Sequence, residues 1–227
     1  MNKFLTVIAI VVMATALYAD DSFDQSYAGT IDGIGMPMAH FNFYQNQAWE
    51  MLVWQFDMPH NDPETDAWAA EIAFESLIEL HLTTSHAADF GLSVDDVDMA
   101  EVQEQIATLR LMYNRPDIDV IATLGFTEVT FREFAEMQIL HEMVYQHITS
   151  LAVITEEEMA SAFEQFLSGD VEFAVEWAGD AELLEIHFKQ NYEQQLRNIY
   201  FRARLDEWRN AVEIVPNAEL FRSGNRP

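Results

Sequence analysis

The sequence predicts a mainly α-helical fold, a helical body closed by a long C-terminal helix, with a minor two-stranded pairing of N- and C-terminal segments. Three observations predict it. Apolar residues recur at helical spacing over most of the chain, and capping boxes precede several of these runs. Charge is segregated: Asp20 to Phe188 carries three basic residues against 34 acidic ones, whereas Lys189 to Pro227 carries seven against five. The last segment is therefore electrostatically complementary to the rest, which favours its docking back onto the body. An acidic surface suited to a salty medium accounts equally well for the overall sign.

The first 19 residues read as a signal peptide. Met1 to Lys3 form a short positive start, Phe4 to Leu17 are almost wholly apolar, and Ala16-Leu17-Tyr18-Ala19 ends in a small residue, so cleavage is expected after Ala19. An apolar stretch of 16 residues spans roughly 24 Å as a helix, short of a ~30 Å hydrocarbon core. Residues 20–227 are then expected to be exported to the periplasm as a single domain, without stable membrane insertion.

Within that domain, Gly29 to Ile34 and Ala211 to Pro216 are flanked by breakers, contain β-branched residues and are positioned to pair. Breakers at Gly33, Gly35 and Pro37 precede a helix over Met38 to Phe56, and Pro59 to Pro63 separate it from a second over Pro63 to Phe90. Gly91 ends that helix. Ser93 with Asp96 forms a capping box for Val94 to Tyr113, and Arg115-Pro116 ends it. After a short Asp117 to Leu124 piece, Thr130 with Glu133, or the competing Thr127, opens a helix over Thr127 to Leu151. Thr155 with Glu158 caps Glu156 to Leu167. The body thus spans 36–167. A connector at 168–179 follows, in which Val171 to Trp177 alternates as a third strand or a loop, and a brace helix covers 180–212. Leu184, Phe188, Tyr192, Leu196, Ile199, Ala203 and Trp208 give the brace one apolar stripe.

Composition removes several function classes. With no cysteine there is no zinc-thiolate site, thiol nucleophile or disulfide, and a net charge of -28 repels phosphate backbones and anionic lipid. His81 and His86 are five apart and His141 and His147 six apart, so neither pair shares a helix face as metal ligands do, and these read as surface or half-buried histidines. Asp95, Asp96, Asp98 and Glu101 lack the glycine and terminal glutamate of a calcium loop and read as a charged first helical turn. No nucleophile elbow or phosphate-cradling loop is present, and carboxylate pairs such as Glu156 with Glu158 arise by chance among 39 acids. The expectation is a protein without catalytic residues, metal or cofactor.

The informative surface is apolar. On Met38 to Phe56, Phe41, Tyr44, Ala48, Met51, Leu52 and Phe56 share one broad face, whereas Phe43 and Trp54 point to the opposite side with Gln47 and Glu50 between them. Either both faces are buried, or part of the second lines a groove for extended, non-native chains. Phe43, Gln47, Glu50 and Trp54, with Met38 and Met58 at the helix ends, are the candidate peptide-binding residues. Methionine suits such a surface because its flexible thioether accepts many side chains.

Four motifs in order resemble a known family. Thr30-Ile31-Asp32-Gly33 followed by Met36-Pro37 is similar to its opening strand and turn. Ala87-Ala88-Asp89-Phe90-Gly91-Leu92-Ser93-Val94-Asp95-Asp96 resembles its junction after a long helix, Leu124-Gly125-Phe126-Thr127-Glu128-Val129-Thr130-Phe131-Arg132 its next helix start, and Val153-Ile154-Thr155-Glu156-Glu157-Glu158 the start after that. The family is the SurA-type periplasmic chaperone module, shared more loosely with PrsA-type foldases and trigger factor. The resemblance implies a SurA N-domain-like helical bundle. Isomerase members insert a parvulin domain ahead of the final helix, and the twelve residues 168–179 leave no room for one.

The function the resemblance implies is an ATP-independent holdase for unfolded exported or outer-membrane polypeptides, without prolyl isomerase activity. The alternative is a dedicated partner of one envelope protein. A homodimer formed by exchanging the brace helix is compatible with either.

Overall fold

The structure, a computed structural model, describes residues 26–59, 62–112, 120–167 and 181–221. Among them lie three strands, β1 (Tyr27–Ile31), β2 (Ile34–Pro37) and β3 (Ile214–Pro216). The seven helices are α1 (Met38–Phe56), α2 (Pro63–Ser85), α3 (Met99–Met112), α4 (Val120–Thr123), α5 (Glu128–Ser150), α6 (Glu156–Leu167) and α7 (Ala181–Arg209). The 168–179 connector, with Val171 to Trp177, lies outside the described residues, as does the 1–19 segment.

The two ends of the domain meet as expected. β3 pairs antiparallel with β1, with Gly29 opposite Pro216, Thr30 opposite Val215 and Ile31 opposite Ile214. Asp32 and Glu213 exchange bonds just beyond this ladder: the Asp32 N–H donates to the Glu213 carbonyl at 2.8 Å, and the Glu213 N–H donates to Asp32 Oδ1 at 2.8 Å. On the other side, buried Asn217 donates its N–H to the Ala28 carbonyl at 2.9 Å and its side-chain amide to the Tyr27 carbonyl at 3.3 Å.

A further strand, β2, occupies the other edge, giving the order β2-β1-β3. Its glycines and proline read as breakers, yet Asp32 and Gly33 hold positive φ of 49° and 77°, the requirement of a tight two-residue hairpin.

The helix bounds follow local chemistry. α1 ends where Asp57 enters the left-handed region at φ 54°, and the Leu52 carbonyl accepts the N–H of Met58 at 3.1 Å. Asp62 caps α2, accepting the Glu64 N–H, and Pro63 takes its first turn. α2 stops at Ser85, five residues before the expected end. There His86 stacks on Trp208 at 4.5 Å between ring centroids, and the chain tightens into a 3-10 turn over Ala87–Phe90.

The Ser93–Asp96 box caps a 3-10 turn rather than α3, whose N-terminus is instead met by Asp98, accepting the Ala100 N–H at 2.8 Å. Thr127, not Thr130, caps α5, with Thr130 as its reciprocal partner.

One core unites α1, α2, α5 and the C-terminal half of α7, with Phe41, Leu77, Ile78, Leu140, Val144 and Phe201 among its buried members. The single stripe expected on the brace does not form. Ile199 is 64% exposed, and Ala203 is exposed as well. Trp208 is buried as expected, but Phe201 and Leu205 join it in place of Ile199 and Ala203, while Leu184, Phe188 and Tyr192 serve the other half of the helix. Phe188 and Leu205 are 17 residues apart, which at 100° per residue puts them about 100° apart around the helix. α7 is a brace with two faces, one for the body and one for α6.

Charge complementarity operates where expected: Arg209 pairs with Glu75 and Arg202 with Glu79, joining α7 to α2.

Gly29 is the tightest point of the end-to-end closure, since a Cβ there would sit 2.7 Å from the Val215 carbonyl oxygen and 3.0 Å from the Phe74 ring. Gly29→Ala is therefore expected to cost about 2 kcal/mol or more through displacement of β3 from β1. Urea unfolding checks this, and an unchanged midpoint would show that β3 contributes little.

Candidate functional site

The proposed peptide-binding stripe on α1 divides in two. Phe43 is buried, and its ring meets Phe134 edge-on at 5.0 Å, Tyr44 at 5.6 Å and Phe131 at 6.5 Å. It belongs to a second core cluster with Leu80, Ile121, Phe126, Phe131 and Phe134, so it is not a surface residue open to a client.

The cause is the turn between α4 and α5, which lies on the first half of α1. Asn42 donates to the Leu124 carbonyl at 3.4 Å, and Gly125 at φ 88° approaches Ala39. That cover does not hide the far end: Gln47 is exposed, Glu50 half-buried, and Trp54 is 77% exposed. Met38 is half-buried against the main core. Met58 folds back onto Ala48, Leu52 and Ala69, so it supports the α1–α2 hairpin rather than displaying itself.

At the loop end of this hairpin, three large aromatics remain open: Trp54, Phe56 at 64% and Trp68 at 50%. Phe56 shares the broad face of α1 that carries Phe41, Ala48 and Leu52. It lies in the last turn, beyond the Ala48–Leu52–Ala69 contact, and so escapes cover.

A second apolar surface lies on the α6–α7 arm. α6 buries none of its residues. Its Phe163 and Phe166 rings lie 5.2 and 4.9 Å from Phe188, which stacks on Tyr192 at 5.5 Å. Around this row Leu167, Leu183 and Ile186 are each exposed by more than 40%. α7 is fixed to α5 further along: Tyr145 donates its hydroxyl to Asn198 at 2.5 Å, Gln194 donates to the Tyr145 oxygen at 2.7 Å, and Phe201 packs on Tyr145 at 4.9 Å. The aromatic row precedes these anchors in the helix. No binding role was assigned to it from the sequence, although the apolar spacing of Phe163 and Phe166 beside Leu184 and Phe188 carried the signal.

His81, His86 and His141 are half-buried and His147 is exposed, as expected, whereas His40 is buried. His40 from α1 is buried, stacking on His81 of α2 at 5.8 Å and lying 4.5 Å from the Phe134 ring. His81 and His141 of α5 each bury a ring nitrogen. Among the described residues, His40 Nδ1, His81 Nε2 and His141 Nδ1 have no hydrogen-bond partner. Contributed by three helices, they have no spacing signature in sequence.

Beside them, Glu79 lies 3.7 Å from His141 Nε2 and 3.1 Å from Arg202. Burial lowers His40 to about 4, with His81 adding to the effect, and burial alone lowers His81 to about 4. His141 is also lowered by burial, against the opposing pull of Glu79 and Glu142. Tyr44 is raised to about 12 by burial, Gln138 opposing and Glu79 assisting. Among the described residues, no three His, Asp or Glu side chains converge as a metal-binding group. His40 and His81 stack as a pair that burial keeps neutral, and the chemistry of that pair is proton refusal.

Refusal has a pH signature. Above about pH 6.5 His40 and His81 are neutral whether folded or unfolded, and their contribution to stability is complete. As pH falls from there toward about 4, the unfolded chain binds protons that the folded chain excludes, and stability drops by at most about 1.4 kcal/mol per pH unit for each ring. Carboxylates titrate in the same range, so the comparison is relative. The fall in urea midpoint between pH 7.5 and 5 is expected to be smaller in His81→Leu than in the parent chain, and equal falls would clear the histidines of any role.

No family model, no curated protein and no solved structure matches this chain.

Proposed function

We propose that the exported chain is an ATP-independent holdase of SurA type, acting in the periplasm on unfolded exported or outer-membrane polypeptides, without prolyl isomerase activity. The observation that carries this reading is the α6–α7 arm, an aromatic row shared by two helices of which α6 buries none of its residues. Apolar faces of this kind on soluble domains mark interaction sites. Multiple weak apolar contacts favour the unfolded state of a client by mass action and need no nucleotide.

The hairpin tip supplies a second open surface, and the motif order supports a SurA-like origin. No helix among the described residues is long and apolar enough to cross a membrane.

The binding residues in this reading differ from the stripe on α1. Phe43 is excluded, because Phe43→Ala would open a cavity among Phe131 and Phe134 and cost roughly 3–5 kcal/mol of stability. The arm residues Leu183 and Ile186 are each 44% exposed, so polar replacement there is expected to leave the fold intact.

Light scattering of a denatured outer-membrane porin provides the test. The parent chain at stoichiometric excess is expected to suppress aggregation, and Leu183→Ser with Ile186→Ser to lose about half of that suppression, with helical circular dichroism retained. If the parent leaves scattering unchanged, the holdase reading fails.

A further inference from the structure

We infer that the loop end of the α1–α2 hairpin is a docking surface for polypeptide segments in which aromatic or aliphatic side chains are mixed with lysine or arginine. The inference rests on the holdase reading for the non-native state of the client, and adds the chemistry by which the client is selected. Each open indole at this end has a carboxylate one helical turn away: Glu50 is four residues before Trp54, Glu64 four before Trp68, and Glu71 three after it. Side chains at these separations are neighbours on a helix surface.

A cationic side chain laid on the face of Trp54 or Trp68 is therefore also within reach of a carboxylate. The two attractions act on the same charge, and both select a cation over an anion. The partner's apolar residues are met by Phe56 and the indole rings themselves.

The hairpin itself supplies no lysine or arginine to this end: from Met38 to Ser85, α1, α2 and their loop contain neither. α7 brings arginines only to the other part of α2, where Arg209 reaches Glu75 and Arg202 reaches Glu79. Those two pairs show that guanidinium groups are accepted along α2. Among the described residues no lysine or arginine forms an ion pair with Glu64 or Glu71, both exposed.

The histidines and the carboxylates of the arm fit this choice less well. The ring of His40 is buried and those of His81 and His141 are half-buried, and the Glu156–Glu158 run lies at the start of α6 with Glu158 engaged by Thr155 at 2.9 Å.

Three unstructured dodecapeptides with the same aromatic residues, carrying Lys, Glu or Ser between them, provide the probe, with binding to residues 20–227 followed by fluorescence anisotropy. In roughly 50 mM salt the Lys peptide is expected to bind at least about tenfold tighter than the Glu peptide, the gap closing to within about threefold at roughly 500 mM. Glu64→Gln with Glu71→Gln should narrow the gap and leave the Ser peptide unaffected. Trp54→Ala with Trp68→Ala should weaken the Lys peptide at least about fivefold with unchanged circular dichroism.

Equal affinity for the Lys and Glu peptides overturns the inference, as does full affinity in the double Trp variant. Concentration-dependent dimerisation abolished by that variant would also overturn it, by placing a second copy on this surface. Porin aggregation left unsuppressed beside intact peptide selectivity defeats the holdase reading alone. Suppressed aggregation without charge preference defeats the docking inference alone.

Discussion

The closing of the last segment of the domain onto its first is the constraint on which the rest depends. β1 is flanked on one side by its own hairpin partner and on the other by a strand 183 or more residues away in sequence, so its full complement of backbone bonds exists only when both ends are present. Buried Asn217 and the Asp32–Glu213 exchange extend this ladder at each end. α7 follows as a consequence, because β3 is the continuation of its C-terminus. With β3 paired to β1, Trp208 is delivered to His86 and Phe201 to Tyr145. The loop-closure entropy of so remote a contact grows only logarithmically with separation, and burial of Phe201, Leu205 and Trp208 is of the size needed to offset it.

The same brace explains why the arm stays open. A helix of 29 residues extends roughly 44 Å, and the body occupies one end of it. At the other end α7 presents a face turned about 100° away, and α6 is its partner there. Two helices alone cannot enclose their apolar stripes, since each leaves a flank facing solvent. Leu167, Leu183 and Ile186 lie on such flanks.

Legibility in the sequence varied with the range of the interaction. α1 and α6 have the bounds expected, because their ends are set by local devices: Pro37 and the Asp57–Pro59 exit for α1, and the Thr155–Glu158 box for α6. The β1–β3 pairing was also readable, from β-branched residues between breakers. The β1–β2 hairpin was missed although Asp32-Gly33 is a local turn signal, since Gly35 and Pro37 masked the strand beyond it. Phe43 was misplaced for a different reason. A helical stripe says which residues share a face, and Phe43 and Trp54 do, but not how far a neighbouring element runs along it. The turn over Gly125 covers one and leaves the other open. The His40–His81 pair was beyond reach of spacing altogether, because two helices supply one ring each.

That pair also argues about where binding belongs. Burying ring nitrogens without partners costs stability that aliphatic residues at the same positions would not, so the core here is less stable than its aromatic content allows. The cost falls at the junction of α1, α2 and α5, whereas the open aromatics lie on the hairpin tip and the arm, outside that junction. Contacts made there by a client of the proposed holdase would leave the ladder and the core packing untouched. The proposed holdase would require that separation: weak, replaceable contacts on peripheral elements, and a body whose closure does not depend on whether they are occupied.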